Sequence, residues 1–479
     1  MKLINKFKKS VEMKSAIAYT FSSVFSRGLA IITVPIFTRI MTTEQIGVVN
    51  LYNSWYSMIS VIATLALTSG GFAVAMKEYE GRRDEYQSSI LSLTSIIALM
   101  LVLFYLVFSD YVIHITGLPA VLIWLMLVGF LFAPARDFWL ARQRYEYKYK
   151  LSSFVTIVSA IIASVLSVVV VISAGKSNAN NTAEYRLFAN YLVLYGVAAI
   201  IWISIMVKGK TFYHKEFWKK SLMLSLPLVG YNVAAQILNV SDKMMISKMV
   251  NNSAVGIYGT LFTVSSLSLM VWQAINSSFI PYLFRNIENK GSNIKKLSFE
   301  LIFAYACVAI LLTMLAPEIV YILAPKEYFE AIYIMPPVAA GIFFTSLSQL
   351  YSNISVYYKK TKYVMYPAIL AAIVNVILNA VFIPKFGYMA AAYTTLFSYA
   401  LWAYIQIALA NYTSKACGKI TWKIYDDKRI ILLSLGTVLL SLSGLLLYKN
   451  IVCRYLFILI IGLGTWKAMK KVMASSRKR

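Results

Sequence analysis

The chain has 479 residues, 59% of them hydrophobic and only 14% charged, with a mean hydropathy of +0.69. A soluble domain carries about a quarter charged residues and could not hide this much apolar surface, so the composition excludes a water-soluble globular protein and points to an all-α integral membrane protein. The formal charge is +27, from 46 basic and 19 acidic residues. No basic segment interleaved with exposed aromatics stands clear of the apolar runs, which sets nucleic acid aside and points to loops facing anionic membrane lipid.

The basic amphipathic start, KLINKFKKSVEMK, is expected to lie along the inner membrane surface. The apolar run that follows from Ser15 contains Arg27 and is too long and too polar for a cleaved signal peptide, so it is a first span. Runs able to cross about 30 Å of hydrocarbon fall at 15–38, 47–75, 88–109, 118–141, 152–174, 186–207 and 221–247. They continue at 255–284, 297–316, 329–357, 363–383, 387–412, 430–448 and 451–469, giving about fourteen spans.

The basic residues test this count. With the amino terminus in the cytoplasm, 35 of the 46 Lys and Arg fall inside, 8 fall outside, and Arg27, Arg136 and Lys243 fall within the membrane. A wrong count would scramble that alternation. The expected protein is a multi-pass component of the inner or plasma membrane with both termini cytoplasmic. All links are short, the longest external one being GKSNANNTAEYR at 175–186.

The chain also repeats itself. RIMTTEQIGVV from Arg39 matches KMVNNSAVGIY from Lys248, each with a glycine eight residues after the base (Gly47 and Gly256, 256 − 47 = 209). GFLFAPARDFWLARQRYEYKYK from Gly129 lies over GIFFTSLSQLYSNISVYYKKTK from Gly341 (341 − 129 = 212). The near-equal offsets make spans 1–6 and 7–12 two copies of a six-span unit. An even number of spans gives both copies one orientation, so the expected axis is a pseudo-two-fold along the membrane normal. The domains expected are 1–215, 216–413 and a remainder, 414–479, with two peripheral helices and a basic cytoplasmic tail.

Polar stripes mark the spans that pack on each other or line a wet cavity. Span 1 carries Thr20, Ser23, Arg27 and Thr38; span 2 carries Asn50, Asn53, Ser57, Ser60, Thr64 and Thr68. Span 7 carries Ser225, Asn232, Gln236, Asn239 and Lys243, and span 8 carries Thr263, Ser266, Gln273 and Ser277. Arg27 sits near mid-membrane, where a charge costs at least ~3 kcal/mol; it is either a functional cation or half of a buried ion pair. Asp242 and Lys243 are adjacent and diverge by about 100°, so each is expected to face a different neighbour. Arg136, beside Asp137, either snorkels or lines the cavity. Three bases against two acids give the interior a positive sign, which suits phosphate and pyrophosphate.

Other chemistry is poorly provided for. Cys307, Cys417 and Cys453 form no CxxC pair, and His114 and His214 fall in predicted loops, so no metal site and no catalytic residue is expected. There is no Walker A sequence and no sign of another cofactor.

Four segments in order, FTRIMTTEQIGVVNLY, SDKMMISKMVNNSAVGIYG, SSFIPYLFR and NVILNAVFIPKFGYMAAAYTT, resemble the polysaccharide (Wzx-type) flippases of the multidrug/oligosaccharidyl-lipid/polysaccharide exporter superfamily. The resemblance spans nearly all of residues 10–470. It implies two six-helix lobes around a central cavity, working by alternating access. The implied substrate is a polyprenyl-pyrophosphate-linked glycan moved from the inner to the outer leaflet, with the polymerase and glycosyltransferases of the same pathway as partners. The family's cavity cations could match Arg27, Arg136 and Lys243, flanked by Gln236, Asn53, Asn239 and Gln273. Asp242 and Asp137 are the candidates for ion coupling or ion pairing. Gln236 stands at the repeat-equivalent position of Arg27, so the positive charge is asymmetric. The rival readings are a peptidoglycan-precursor flippase, a drug/cation antiporter of the same superfamily, and a membrane glycosyltransferase or polymerase. A transporter, and not an enzyme, is the expectation.

Overall fold

The computed structural model describes residues 11–68, 71–176, 181–289, 292–417 and 422–477, and among them the regular structure is helical, without strands. The basic segment expected on the inner membrane surface lies outside the described residues, except for Val11–Lys14. Two compact units divide the chain, Met1–Gln236 and Ile237–Arg479, the boundary falling inside one long helix.

The first unit holds α1 (Val11–Ile40), α2 (Thr43–Thr64), α3 (Gly71–Glu78), α4 (Arg83–Val107), α5 (Ser109–Thr116), α6 (Ala120–Tyr145), α7 (Tyr149–Lys176), α8 (Thr182–Gly209) and the start of α9 (Lys215–Met249). The second holds the rest of α9, then α10 (Asn252–Ser266), α11 (Ser268–Asn286), α12 (Ile294–Met314), α13 (Ala316–Leu323), α14 (Met335–Tyr357), α15 (Lys362–Phe386), α16 (Met389–Ala416), α17 (Asp427–Leu447) and α18 (Ile451–Arg477). Ten helical segments among the described residues are long and apolar enough to cross a membrane, and α9, bent by 46° between Leu226 and Leu228, makes an eleventh. The chain is thus an all-α, multi-pass membrane protein. The segments α2 and α16 are helical but fall below that apolar threshold, as their polar residues require, and the apolar stretch of α18 is short, Ile451–Gly464.

Two spans differ in detail from the expectation. The second stops at Thr64, where Leu65 (φ 47) and Ala66 (φ 50) turn the chain into the left-handed region, so Thr68 lies off the helix and off its polar stripe. The eighth is interrupted at Leu267 between α10 and α11, but the backbone there stays helical (φ −61) and the two run on as one segment, Asn252–Asn286.

The repeat is visible in the local backbone of each unit. Thr42 caps α2 by accepting from the Gln45 N–H at 3.2 Å, and Asn251, 209 residues later (251 − 42), caps α10 by accepting from the Ala254 N–H at 2.8 Å. At the other match, Tyr147 (φ 54) and Lys359 (φ 57), 212 apart (359 − 147), both end a helix in the left-handed region. The Lys148 N–H then donates to the Gln143 carbonyl and the Lys360 N–H to that of Ser355, both at 2.9 Å, a Schellman closure in each unit. Gly129 and Gly341 do the same job on one face of α6 and α14. A side chain at Gly129 would overlap Tyr195 of α8, and one at Gly341 would meet Tyr399 of α16 at 3.4 Å. Small residues let those helix pairs approach closely where lipid gives no hydrophobic drive.

The core of the first unit gathers Phe72, Tyr86, Ile90, Phe138 and Phe217 from α3, α4, α6 and α9. Polar bonds orient it: Tyr86 with Ser221 at 2.8 Å, and the Trp218 indole donating to the Ser89 carbonyl at 2.9 Å. His214 stacks on Phe217 at 3.9 Å between ring centres. In the second unit the last two helices pack against α12, and α17 also against α14. Arg454, near the start of α18, is buried and paired with Glu318.

Candidate anion site in the first unit

Four helices of the first unit surround a polar cavity of about 440 Å³. Each contributes one face at helical spacing. From α1 come Tyr19, Ser22, Ser23, Ser26 and Arg27; from α6, Arg136, Asp137, Leu140 and Arg144. From α7 come Thr156, Ser159 and Ser164, and from α8, Asn190 and Leu194. Many of the hydroxyls are turned back on their own helices: Ser22 donates to the Ala18 carbonyl at 2.7 Å, Ser26 to Ser22 at 2.9 Å and Thr156 to Ser152 at 2.8 Å. Their second lone pairs keep the wall polar without tying it to the opposite side.

The charges are the unusual part. Three arginines and one aspartate give the cavity a formal charge of 3 − 1 = +2. Among the described residues no ion pair or hydrogen bond joins any of these four side chains to another group; Arg144 lies over the Tyr19 ring at 5.5 Å. Nearby bases of the same unit behave otherwise. Arg142 pairs with Asp84 at 2.5 Å and Glu146 at 2.8 Å, Lys148 with Glu146 at 2.6 Å, and Arg82 with Glu85 at 2.7 Å. The unit therefore has carboxylates to spend and spends them outside the cavity. An unpaired charge at the centre of a span costs about 2.5–3.5 kcal/mol, and an anion in this cavity would offset such a cost. Guanidinium groups grip phosphate oxygens in pairs, which suits them to a diphosphate.

The structure thus brings Arg27, Arg136 and Asp137 to one cavity and adds Arg144. The apolar run 118–141 leaves Arg144 in the link that follows it. The helix continues to Tyr145, and Asp137 and Arg144, seven residues apart, share a face. The other candidates lie elsewhere. Asn53 is exposed and accepts from the Tyr191 hydroxyl at 2.9 Å; Gln236 donates to the Ser57 carbonyl at 3.4 Å.

In the second unit, Asn239 accepts from Tyr399 at 3.1 Å, Gln273 is exposed, and the Lys243 ammonium lies over the Phe262 ring at 4.8 Å. Asp242 is buried and accepts three hydrogen bonds: from Tyr258 and Thr395 at 2.6 Å and from Asn379 at 2.7 Å. Asn375, Ser241 and Thr394 extend the network. Its partners on α15 and α16 were not singled out from the sequence, because single Asn and Thr residues at a helix–helix contact look alike whether or not a carboxylate waits opposite. A larger hollow of about 570 Å³ beside it, lined by Phe382, Phe386, Met389 and Phe397, is almost wholly apolar and has nothing to hold a charge.

Residues 13–287 match the family model described as polysaccharide biosynthesis protein, and the chain belongs to that family. The fold is similar to that of solved lipid and drug transporters. A lipid II flippase, MurJ, in an inward closed conformation is similar over 98% of this chain and 100% of its own, with a TM-score of 0.66 at 16% identity. An inward-facing MATE family multidrug resistance transporter of the MOP superfamily covers 83% of this chain and 96% of its own (TM-score 0.61, 12% identity). A MOP superfamily transporter from Pyrococcus furiosus, described with a binding pocket of reverse polarity, covers 85% and 96% (TM-score 0.53, 12% identity). No curated protein matches the sequence.

Proposed function

We propose that this chain is a flippase that moves a polyprenyl-pyrophosphate-linked oligosaccharide from the inner to the outer leaflet by alternating access, for cell-surface polysaccharide synthesis. The observation that carries the reading is the set of three unpaired arginines, Arg27, Arg136 and Arg144, in one polar cavity of the first unit. A pyrophosphate diester has two permanent charges to set against them, and hydroxyls line the space that the first sugars would enter. Membership in a polysaccharide biosynthesis family and a fold similar to that of solved lipid and drug transporters support the same reading. A drug/cation antiporter would need the opposite sign in this cavity. No step of the transport calls for the chain to make or break a covalent bond, so its role is that of a carrier. The distribution of basic links supports a cytoplasmic position for both termini.

A second reading has one observation in its favour: the likeness to the lipid II flippase covers both chains almost completely. Its ligand is a lipid pyrophosphate too, so the cavity charges serve either.

Reconstitution separates them. Purified protein in liposomes should move a fluorescent polyprenyl-pyrophosphate oligosaccharide across the bilayer, measured by loss of protection from an external quencher. Equal or faster movement of lipid II would favour the second reading. Movement of neither, with movement of an organic cation, would overturn both.

A further inference from the structure

We propose that Asp137 is the release group of the cavity, a negative charge kept unpaired beside the three arginines so that a bound polyanion is held weakly enough to leave. The inference rests on the reading of this cavity as the seat of the substrate's pyrophosphate. Asp137 lines the cavity together with Arg27, Arg136 and Arg144, yet no ion pair joins it to any of them. Arg136 and Arg144 act on it through space, without a direct ion pair. A carboxylate placed to cancel one arginine would pair with it, as Glu146 does with Arg142 at 2.8 Å one turn beyond. Asp137 instead acts on the whole cavity through its field.

That field has a use in a transporter and none in a tight binder. A carrier must bind well enough to load and poorly enough to unload. Three arginines around a diphosphate would give strong, slow-leaving binding. A fixed negative charge in the same cavity opposes every bound anion in proportion to that anion's charge, without blocking the path or removing a hydrogen-bond donor.

This proportionality gives the test. Binding of two probes to the purified protein is measured: a short-chain dialkyl phosphodiester with one charge, and a P1,P2-dialkyl pyrophosphate with two. Neither titrates near neutral pH. Asp137→Asn keeps the shape and removes the charge. It should tighten the monoanion about tenfold and the dianion by the square of that, about a hundredfold, with slower dissociation and slower flipping in liposomes. Asp137→Glu, which restores the charge, should return both affinities to near the wild-type values. If Asp137→Asn binds both probes no more tightly, or tightens both by one common factor, the release role is overturned and Asp137 acts through shape alone. A wild type that binds neither probe overturns the anion reading of the cavity, and the release role with it.

Discussion

Arg27 of α1 and Arg144 of α6 line one cavity, although 117 residues (144 − 27) separate them and no ion pair holds either among the described residues. Two like charges sharing a cavity in this way cost free energy in the empty protein. Asp137 offsets part of that cost, and an anion between the arginines would offset more.

Arg27→Ala should therefore abolish surface polysaccharide while leaving the amount of folded protein in the membrane near normal. Because Arg27 is unpaired, its removal orphans no acid. Arg27→Lys keeps the charge and loses the paired hydrogen bonds, so partial export is expected. Quantified surface glycan, set against membrane protein level, reads both. Normal export by the alanine variant would remove Arg27 from the site.

Asp242 calls for the opposite pattern. Its carboxylate satisfies three buried donors, Tyr258, Asn379 and Thr395. Asp242→Ala takes this acceptor from Tyr258 and Thr395, while Asn379 keeps Asn375 at 3.2 Å, at a cost of about 1–3 kcal/mol for each donor that stays unsatisfied. The detergent-solubilised variant should melt several degrees lower, with Asp242→Asn in between. An unchanged melting temperature for the alanine variant would show that the network adds nothing to stability.

Two glycines make a paired packing test. A side chain at Gly209, at the end of α8, would collide with the Asp84 carbonyl and Ser88 of α4, whereas at Gly28 nothing lies within 4 Å. Gly209→Ala should lower stability by roughly 1–3 kcal/mol through overpacking against backbone. Gly28→Ala should be neutral, or stabilise α1 by up to about 1 kcal/mol through helix propensity. Equal effects of the two on thermal unfolding would contradict the packing described.

Glu146, just beyond the end of α6, gives a pH dependence. Burial alone would push its carboxyl up, but the hydrogen bonds from Lys148 and Arg142 win and hold it below the ordinary glutamate range. A carboxyl whose pKa is lowered by folding adds stability above its unfolded value of about 4.3, and that stability is lost as pH falls through the lower folded value. Thermal unfolding measured downward from about pH 6 should show a loss below about pH 4.5 that is smaller in Glu146→Gln. An identical acid limb in the two proteins would remove Glu146 from the account.

Topology can be read chemically. Among exposed positions, a cysteine replacing Lys360 should be labelled only from the cytoplasmic side and one replacing Lys326 only from outside, in a background lacking the three native cysteines. The reverse pattern would invert the chain in the membrane.

Composition and periodicity alone determined the membrane class, the helices and the repeat of this protein. Lipid allows a spanning backbone little besides helix, so 59% hydrophobic residues in long runs leave few alternatives. The repeat was legible because backbone closures such as those at Tyr147 and Lys359 depend on local sequence, which both copies retain. Arg27, Arg136 and Asp137 stood out because charges in apolar runs are rare. Their meeting with Arg144 in one cavity, the three donors around Asp242 and the burial of Arg454 against Glu318 were decided by tertiary structure. Those contacts join residues on different helices, and a helical period gives the face on which a side chain lies without giving the neighbour that the face will meet.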